Sequence, residues 1–366
     1  MKIGLVVPHI FIDKDILPSV IFSPGTLALQ LAEGLQDLGA EVTLFTPDRA
    51  DTTVTNVTAD MSLFEIELAG RGDNYLDLLK KHPLTFVSLA RQVQAELIAK
   101  AYAMANRGEL DVVHIYTNEE DIALPFAEFC QKPVVFTHHD PFRLLVKYKS
   151  SFPKYRQLNW ISISLAQRQQ MPPDTNWVAN IYHGLPEGEF APNYEPTGNY
   201  VAYIGRIIES KGVHLAIDAA KQAGVKLKIA GKHYAGHGKD AYWHEKVEPQ
   251  LGQDIEYVGF VKGKAKQDLL GNAAALLVPS TFDEPFGMVM IEALACGTPV
   301  IGLPSGAIPE VIKDGKTGFV TEDLPGAIAK INTIDRHTCR AEFEARFTLR
   351  RMCEEHLDVY GRLHDH

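Results

Sequence analysis

With 366 residues, 46% of them hydrophobic and 22% charged, the chain is long enough for two domains, each with its own core. Its net charge of −10 argues against general nucleic-acid binding, and no apolar run reaches the roughly 18 residues of a membrane span. The four cysteines, Cys130, Cys296, Cys339 and Cys353, are scattered without a close pair, which predicts a reduced cytoplasmic protein with no zinc site.

The chain opens on Met1-Lys2-Ile3-Gly4-Leu5-Val6-Val7-Pro8. This reads as a strand and not as a signal peptide, because Pro8 and Asp13 interrupt the apolar run early. Strands are predicted at 2–7, 41–46, 111–116, 133–137, 159–164 and 177–182, with helices at 25–38, 86–106 and 120–129 between them. Such a βα alternation implies a parallel sheet. Ser23-Pro24-Gly25-Thr26 precedes a helix carrying Leu27, Leu31, Leu35 and Leu38. Amides near Gly25 and Thr26 would leave that helix at its N-terminus, where an anion is favoured; the alternative is a simple turn with a cap. His114 closes one strand and reads as a hydrogen-bonded core histidine. His138, His139 and Asp140 follow another and read as the rim of a site. Arg143, Lys147, Lys149, Lys154 and Arg156 run without an acid between them. A solvated basic face is the first reading, and contact with an anionic acceptor or membrane headgroups is the second. The stretch 183–192 is rich in Gly and Pro and is expected to be the interdomain linker.

Beyond the linker, strands are predicted at 199–205, 226–230, 255–258, 275–278, 299–301 and 318–321, and the tail from 347 is an amphipathic helix. Arg206 and Lys211 fall between the strand at 199–205 and the helix that follows, on a loop where α/β proteins bind ligands. Both cations suit a diphosphate; two solvated surface charges are the alternative. Residues 285–296 read as a helix, with Pro285 at its first position and Gly297 just past its end. Glu284 and Glu292 would then lie on one face, about 12 Å apart along the axis. Free amides at Phe286, Gly287 and Met288 would attract a phosphate, leaving Glu284 beside a sugar and Glu292 beside a ribose. Two exposed acids on an ordinary amphipathic helix are the competing reading.

Taken together, Gly205-Arg206-x4-Lys211-Gly212, then Glu284-x-Phe286-Gly287-x4-Glu292-Ala293, then Gly297-x-Pro299-Val300-Ile301, resemble the retaining nucleotide-sugar glycosyltransferases of the GT-B fold, family four. The resemblance spans essentially the whole chain and is strongest over 199–322. It implies two Rossmann-like βαβ domains with parallel sheets facing a cleft. Residues 1–183 would bind the acceptor, residues 184–346 the donor, and a C-terminal helix over 347–366 would cross back to the first domain. It further implies transfer of a hexosyl group from a nucleoside-diphosphate sugar with retention of configuration. A UDP-sugar is slightly favoured over a GDP-sugar.

On this reading Arg206, Lys211, Gly25, Thr26, Gly287 and Met288 hold the diphosphate, and Glu284, Phe286 and Gly287 hold the sugar. Glu292 holds the ribose, Phe260 and Val261 border the base, and Glu284 and His139 are the candidate catalytic groups. His139 matches the family's Thr-x-His and His138 does not. Where the family carries paired glycines this chain has Gly25-Thr26, and His183-Gly184 stands in place of its Asn-Gly. No metal and no cofactor is implied, since cations and helix amides can stabilise the leaving diphosphate. The acceptor is left open among a saccharide, a lipid-linked molecule and a small molecule. Oligomeric state is likewise open, and peripheral contact with the inner face of a membrane is an option.

Other motifs carry less. Asp13-Lys14-Asp15 is the metal-binding pattern of a different glycosyltransferase fold, but three residues match easily by chance. Gly231 to His237 starts like a phosphate-binding loop, yet His237 stands where the lysine belongs. No Gly-x-Gly-x-x-Gly follows the first strand, which disfavours a nicotinamide dehydrogenase. The competing functions are a GT-B epimerase or phosphorylase and a non-catalytic sugar-nucleotide-binding subunit.

Overall fold

The computed structural model describes residues 1–10, 23–116, 120–233 and 240–365. The chain divides into two compact units, one drawn from Met1–Ile163, Gln167–Ile181 and Leu349–His366, the other from Ser164–Ala166 and Tyr182–Thr348.

The first unit runs β1 (Lys2–Val6), α1 (Ser23–Asp37), β2 (Glu41–Thr46), β3 (Thr55–Thr58), α2 (Ser62–Arg71), α3 (Tyr75–Lys81), α4 (Pro83–Asn106), β4 (Val112–Tyr116), α5 (Glu120–Ala123), β5 (Val134–Thr137), α6 (Val146–Ser151) and β6 (Asn159–Ser162). It continues through α7 (Leu165–Arg168), within which the division falls, to β7 (Trp177–Asn180). The sheet order is β3-β2-β1-β4-β5-β6-β7, and every pairing is parallel. The strands near its centre are apolar on both faces, as in Val112-Val113-His114-Ile115-Tyr116, where all five residues are buried. That composition belongs to a parallel sheet covered by helices on both sides. Val6, Phe45, Leu97, Val113, Phe136 and Trp160 share one core.

Two expectations need correction in this unit. Residues 120–129 form no continuous helix: α5 stops at Ala123 and a tighter 3-10 turn, Leu124–Phe129, takes over. Pro125 lacks the amide that an α-helical turn would need. The second is that β3, α2, α3, α6 and α7 stand beside the predicted elements. β3 is a short edge strand, Thr55-Asn56-Val57-Thr58, with no fully buried residue to mark it.

The second unit runs β8 (Tyr200–Ile204), α8 (Val213–Ala223), β9 (Lys226–Ala230), β10 (Ile255–Gly259), α9 (Gly263–Asn272), β11 (Leu276–Val278), α10 (Met288–Ala295), β12 (Val300–Gly302), α11 (Ile308–Val311), β13 (Gly318–Val320), α12 (Leu324–Lys330) and α13 (Arg336–Arg346). Its sheet order is β10-β9-β8-β11-β12-β13, again all parallel. Two arginines of α13 tie the surrounding loops together. Arg336 donates to the carbonyls of Asn193, Ala273 and Gly271 at 2.7, 2.9 and 2.8 Å. Arg340 donates to Ala295 O at 2.8 Å, a cation at the C-terminal end of α10, where the helix dipole welcomes it.

After α13 the chain returns to the first unit as α14 (Leu349–His364). Met352, Cys353, His356, Val359 and Tyr360 form its buried face, which lies against α1 and β4. Arg350 and Arg351 pair with Glu354 and Glu355, one turn on, along its exposed face.

Candidate active site

In each sheet the strand order reverses once, between β1 and β4 in the first unit and between β8 and β11 in the second. Parallel sheets bind ligands outside the carboxyl ends of the strands at such a reversal. In the second unit the chain leaving β8 is Gly205-Arg206, and the chain leaving β11 is Pro279-Ser280-Thr281. The two loops are joined by Thr281 N donating to Ser210 O at 2.9 Å.

Lys211 and Glu284 meet here. Lys211 Nζ donates to Glu284 Oε2 at 2.5 Å, and Ser280 Oγ donates to the same oxygen at 3.3 Å. Glu284 is only 8% exposed. A carboxylate so far out of water needs its charge partner, and removing that partner would strand a buried charge. Lys211 Nζ also lies 4.7 Å from the Phe282 ring centroid. Arg206 is exposed on the same loop, and its carbonyl accepts a hydrogen bond from Tyr203 Oη at 2.9 Å. Burial pushes the Tyr203 phenol well above its ordinary range, so it stays protonated and can hold the loop.

The helix reading of Glu284 is wrong. α10 begins at Met288, and Glu284, Pro285 and Phe286 lie in the loop before it. Gly287 is the reason: its φ of +88° is left-handed, and its position precedes the first helical residue. A Cβ there would sit 2.6 Å from Met290 Cε and 3.2 Å from Glu284 Cγ. Gly306 supports the loop from the other side. It has φ +51°, and a Cβ would come within 2.3 Å of Glu284 N. Ala307 N donates to Glu284 O at 2.8 Å. Glu284 is therefore set by two glycine-dependent backbone turns and not by helical periodicity.

Glu292 does lie on α10, is also 8% exposed, and is ion-paired with Lys266 of α9. Lys266 was not among the expected residues. Glu284 and Glu292 thus each carry a lysine of their own. One turn on, burial and the Glu292 carboxylate push the Cys296 thiol up to about 12, which leaves it a protonated, inert group. Phe286 is packed away: it is 1% exposed and its ring lies 4.9 Å from His183, 6.0 Å from Tyr182 and 6.1 Å from Phe347. Only its backbone remains for a ligand. Gly287 and Met288 are partly exposed at the helix start. Phe260 is exposed with Lys232 Nζ 4.7 Å from its ring centroid, whereas Val261 is half-buried against the cluster of Tyr200, Ala202 and Ala230.

In the first unit Gly25 and Thr26 occupy the first turn of α1, with Gly25 buried. His139 is buried just past β5, its ring 4.4 Å from that of Tyr116, the last residue of β4. His138 points elsewhere, with Nδ1 3.1 Å from a carboxylate oxygen of the buried Glu120. His114 is a core histidine: Nδ1 is 2.6 Å from Tyr360 Oη and Nε2 is 2.8 Å from Thr137 Oγ1. The ring of His356 lies 5.6 Å from that of His114, and its Nδ1 donates to Met352 O at 2.7 Å. Asp13-Lys14-Asp15 and the end of the 231–237 segment lie outside the described residues.

Residues 187–333 match the family described as glycosyl transferases group 1, and residues 25–171 match Glycosyltransferase Family 4. The chain belongs to the group 1 glycosyltransferases of the GT-B fold. The family relatives include a phosphatidyl-myo-inositol mannosyltransferase of Mycolicibacterium smegmatis, 25% identical over 366 residues, covering 94% of this chain and 88% of the relative. A lipopolysaccharide 1,2-N-acetylglucosaminetransferase of Salmonella typhimurium is 31% identical over 153 residues, 39% of this chain and 40% of the relative. Among solved structures, sucrose-phosphate synthase from Thermosynechococcus elongatus has a TM-score of 0.73 at 19% identity, covering 99% of both chains. Anabaena HepE, solved with UDP-glucose, has a TM-score of 0.68 at 17% identity, covering 99% of this chain and all of that one. At such identities the likeness is one of fold.

Proposed function

We propose that this group 1 glycosyltransferase moves a hexosyl group from a nucleoside-diphosphate sugar to an acceptor, with retention of configuration and without a divalent metal. The observation that carries the reading is the buried Lys211–Glu284 pair at the strand reversal of the second sheet, directly before α10. Departure of the diphosphate builds negative charge on phosphate and positive charge on the sugar. Arg206, Lys211 and the first amides of α10 are suited to the former and Glu284 to the latter. Glu292, held by Lys266, is assigned to the ribose, and the Phe260 face to the base. Gly25, Thr26 and His139 keep the phosphate and sugar roles that the resemblance implies. A UDP-sugar is favoured over a GDP-sugar, and UDP-glucose in the HepE structure supports that order.

Calorimetry with UDP and GDP, followed by a donor screen in excess chelator, tests the proposal. The expected result is tighter binding of UDP and metal-free transfer to a product of the donor's anomeric configuration. Activity that vanishes with chelator and returns with magnesium overturns metal independence. Turnover of the donor without any acceptor points to an epimerase, and a requirement for inorganic phosphate to a phosphorylase. Nucleotide binding without turnover of any donor leaves a binding subunit.

A further inference from the structure

The basic stretch of the first unit has no part in the proposed donor chemistry, and the structure gives it a second property. Phe142, Tyr148 and Phe152 are buried and hold the segment to the core, with ring centroids 5.8 Å apart for Phe142–Phe152 and 5.0 Å for Tyr148–Phe152. Between these anchors Leu144, Leu145 and Val146 are turned outward, at 57, 44 and 76% exposure. Three consecutive exposed aliphatic residues on an anchored turn are unfavourable in water and call for a function. The adjoining 3-10 turn Leu124–Phe129, which neighbours the turn Phe152–Tyr155, exposes Phe126 and Phe129 as well.

Charge surrounds the aliphatic tip. From 141 to 157 the chain carries five cations and no acid, in a protein of net charge −10. Arg156 is offset by Asp174 at 2.7 Å, and Lys147 shares Asp121 with Arg91, at 3.4 and 2.8 Å. Arg143, Lys149 and Lys154 are exposed and enter no ion pair among the described residues.

We propose that residues 143–154 form a membrane-docking surface that inserts Leu144, Leu145 and Val146 at the headgroup boundary while Arg143, Lys149 and Lys154 pair with anionic lipid phosphates. Aliphatic side chains flanked by lysines suit a lipid interface, where the amine reaches outward along its own apolar stem. A protein partner fits less well, because lysine is depleted at protein interfaces.

Co-sedimentation of the full chain with vesicles, without nucleotide, tests this. Vesicles of phosphatidylcholine are compared with vesicles of phosphatidylcholine and phosphatidylglycerol. The protein should sediment with the anionic vesicles alone, and added salt should release it. Each basic residue at a charged surface is worth about fivefold in partitioning. The double variant Arg143→Glu, Lys149→Glu should therefore lower it by more than about tenfold. The double variant Leu144→Ser, Val146→Ser should lower it by about tenfold with all charges intact. Unchanged thermal unfolding shows that both variants are folded. No partitioning onto anionic vesicles overturns the proposal, as does partitioning that ignores both variants. Retention on immobilised polyglutamate without vesicle binding would reassign the surface to an acidic protein. Docking of this kind needs neither Lys211 nor Glu284, so Lys211→Ala should bind vesicles like the parent even where transfer is lost.

Discussion

The two units repeat one parallel-sheet plan, yet their strand reversals are furnished in opposite ways. At the reversal of the second sheet stand ionic groups, Lys211 against Glu284, with Arg206 exposed on the adjoining loop. At that of the first stand neutral rings: His114, Tyr116, His356 and Tyr360. Burial pushes His114 well below its ordinary range, His356 down to about 4, and the phenols of Tyr116 and Tyr360 upward. None of these four carries charge near neutral pH. The same backbone position thus serves two physical ends. Fixed charge stands at the site proposed for the diphosphate, and uncharged hydrogen-bonding rings stand where α14 is held against a sheet.

Breaking the charged side should have the largest effect. Arg206→Ala and Lys211→Ala are each expected to lower kcat/KM for the donor by about 10²–10³-fold, since each removes a preorganised cation from the leaving group. Initial rates with folded variants check this, and near-normal rates in both would remove the diphosphate assignment.

The neutral side should break with acid. A histidine near 6.5 in the unfolded chain and about 4 in the fold binds its proton more readily when unfolded. Its contribution is complete above pH 6.5, is lost as the pH falls toward 4, and is level below that. For His356 the loss amounts to about 3 kcal/mol. His9, lowered to about 4 by burial and then by the charge of Lys147, acts in the same direction. Urea midpoints against pH, read from Trp160 and Trp177 with Trp243→Phe as background, should decline over that window. His356→Leu should flatten the decline, and an unaltered slope would contradict the neutral-ring account.

A finer division separates the two acids. Glu284→Gln keeps the size but removes the charge, and should lower kcat by about tenfold or more while UDP affinity holds. Glu292→Ala should weaken UDP and donor alike, because the ribose changes little during transfer. Loss of UDP affinity in the first variant and its retention in the second would reverse the roles. The smallest effect is expected at Lys266. Lys266→Met should raise KM for the donor by only severalfold at constant kcat, with a loss of thermal stability from the stranded Glu292 carboxylate, and Lys266→Arg should restore both, since the lysine acts through that carboxylate. A change in kcat would place Lys266 in the chemistry itself.

Much of this could be read from the residues alone, where the signal was periodic. The strands of the second unit announced themselves by short apolar runs such as Tyr200-Val201-Ala202-Tyr203-Ile204, bounded by Gly205. Arg206, Lys211, Glu284 and Glu292 stood out because a spaced motif joined them. Glu284 was set on a helix because Pro285 is a good first residue and nothing in the letters shows that Gly287 turns left-handed. Lys266 was invisible for a different reason. Its partner is 26 residues away on another helix, and only the packing of α9 on α10 brings them together. The exposed tip at Leu144 was equally hidden, since an apolar triplet reads as core until its neighbours Phe142 and Tyr148 are seen to fill that core instead.

The return of α14 to the first unit has a consequence for how the protein is made. The whole of the second unit after Tyr182 is spliced into the first, and its entry and exit lie side by side, Leu185 N donating to Phe347 O at 2.9 Å and Leu185 pairing with Thr348. On the ribosome, the later-encoded unit has all its strands once residue 348 emerges, whereas the earlier-encoded one still lacks Met352, His356 and Tyr360 from its interior. The usual order of N-terminal domain first is therefore inverted at the final step. A chain truncated after Thr348 and released from the ribosome should resist protease over 185–346 while residues 1–160 remain open to it.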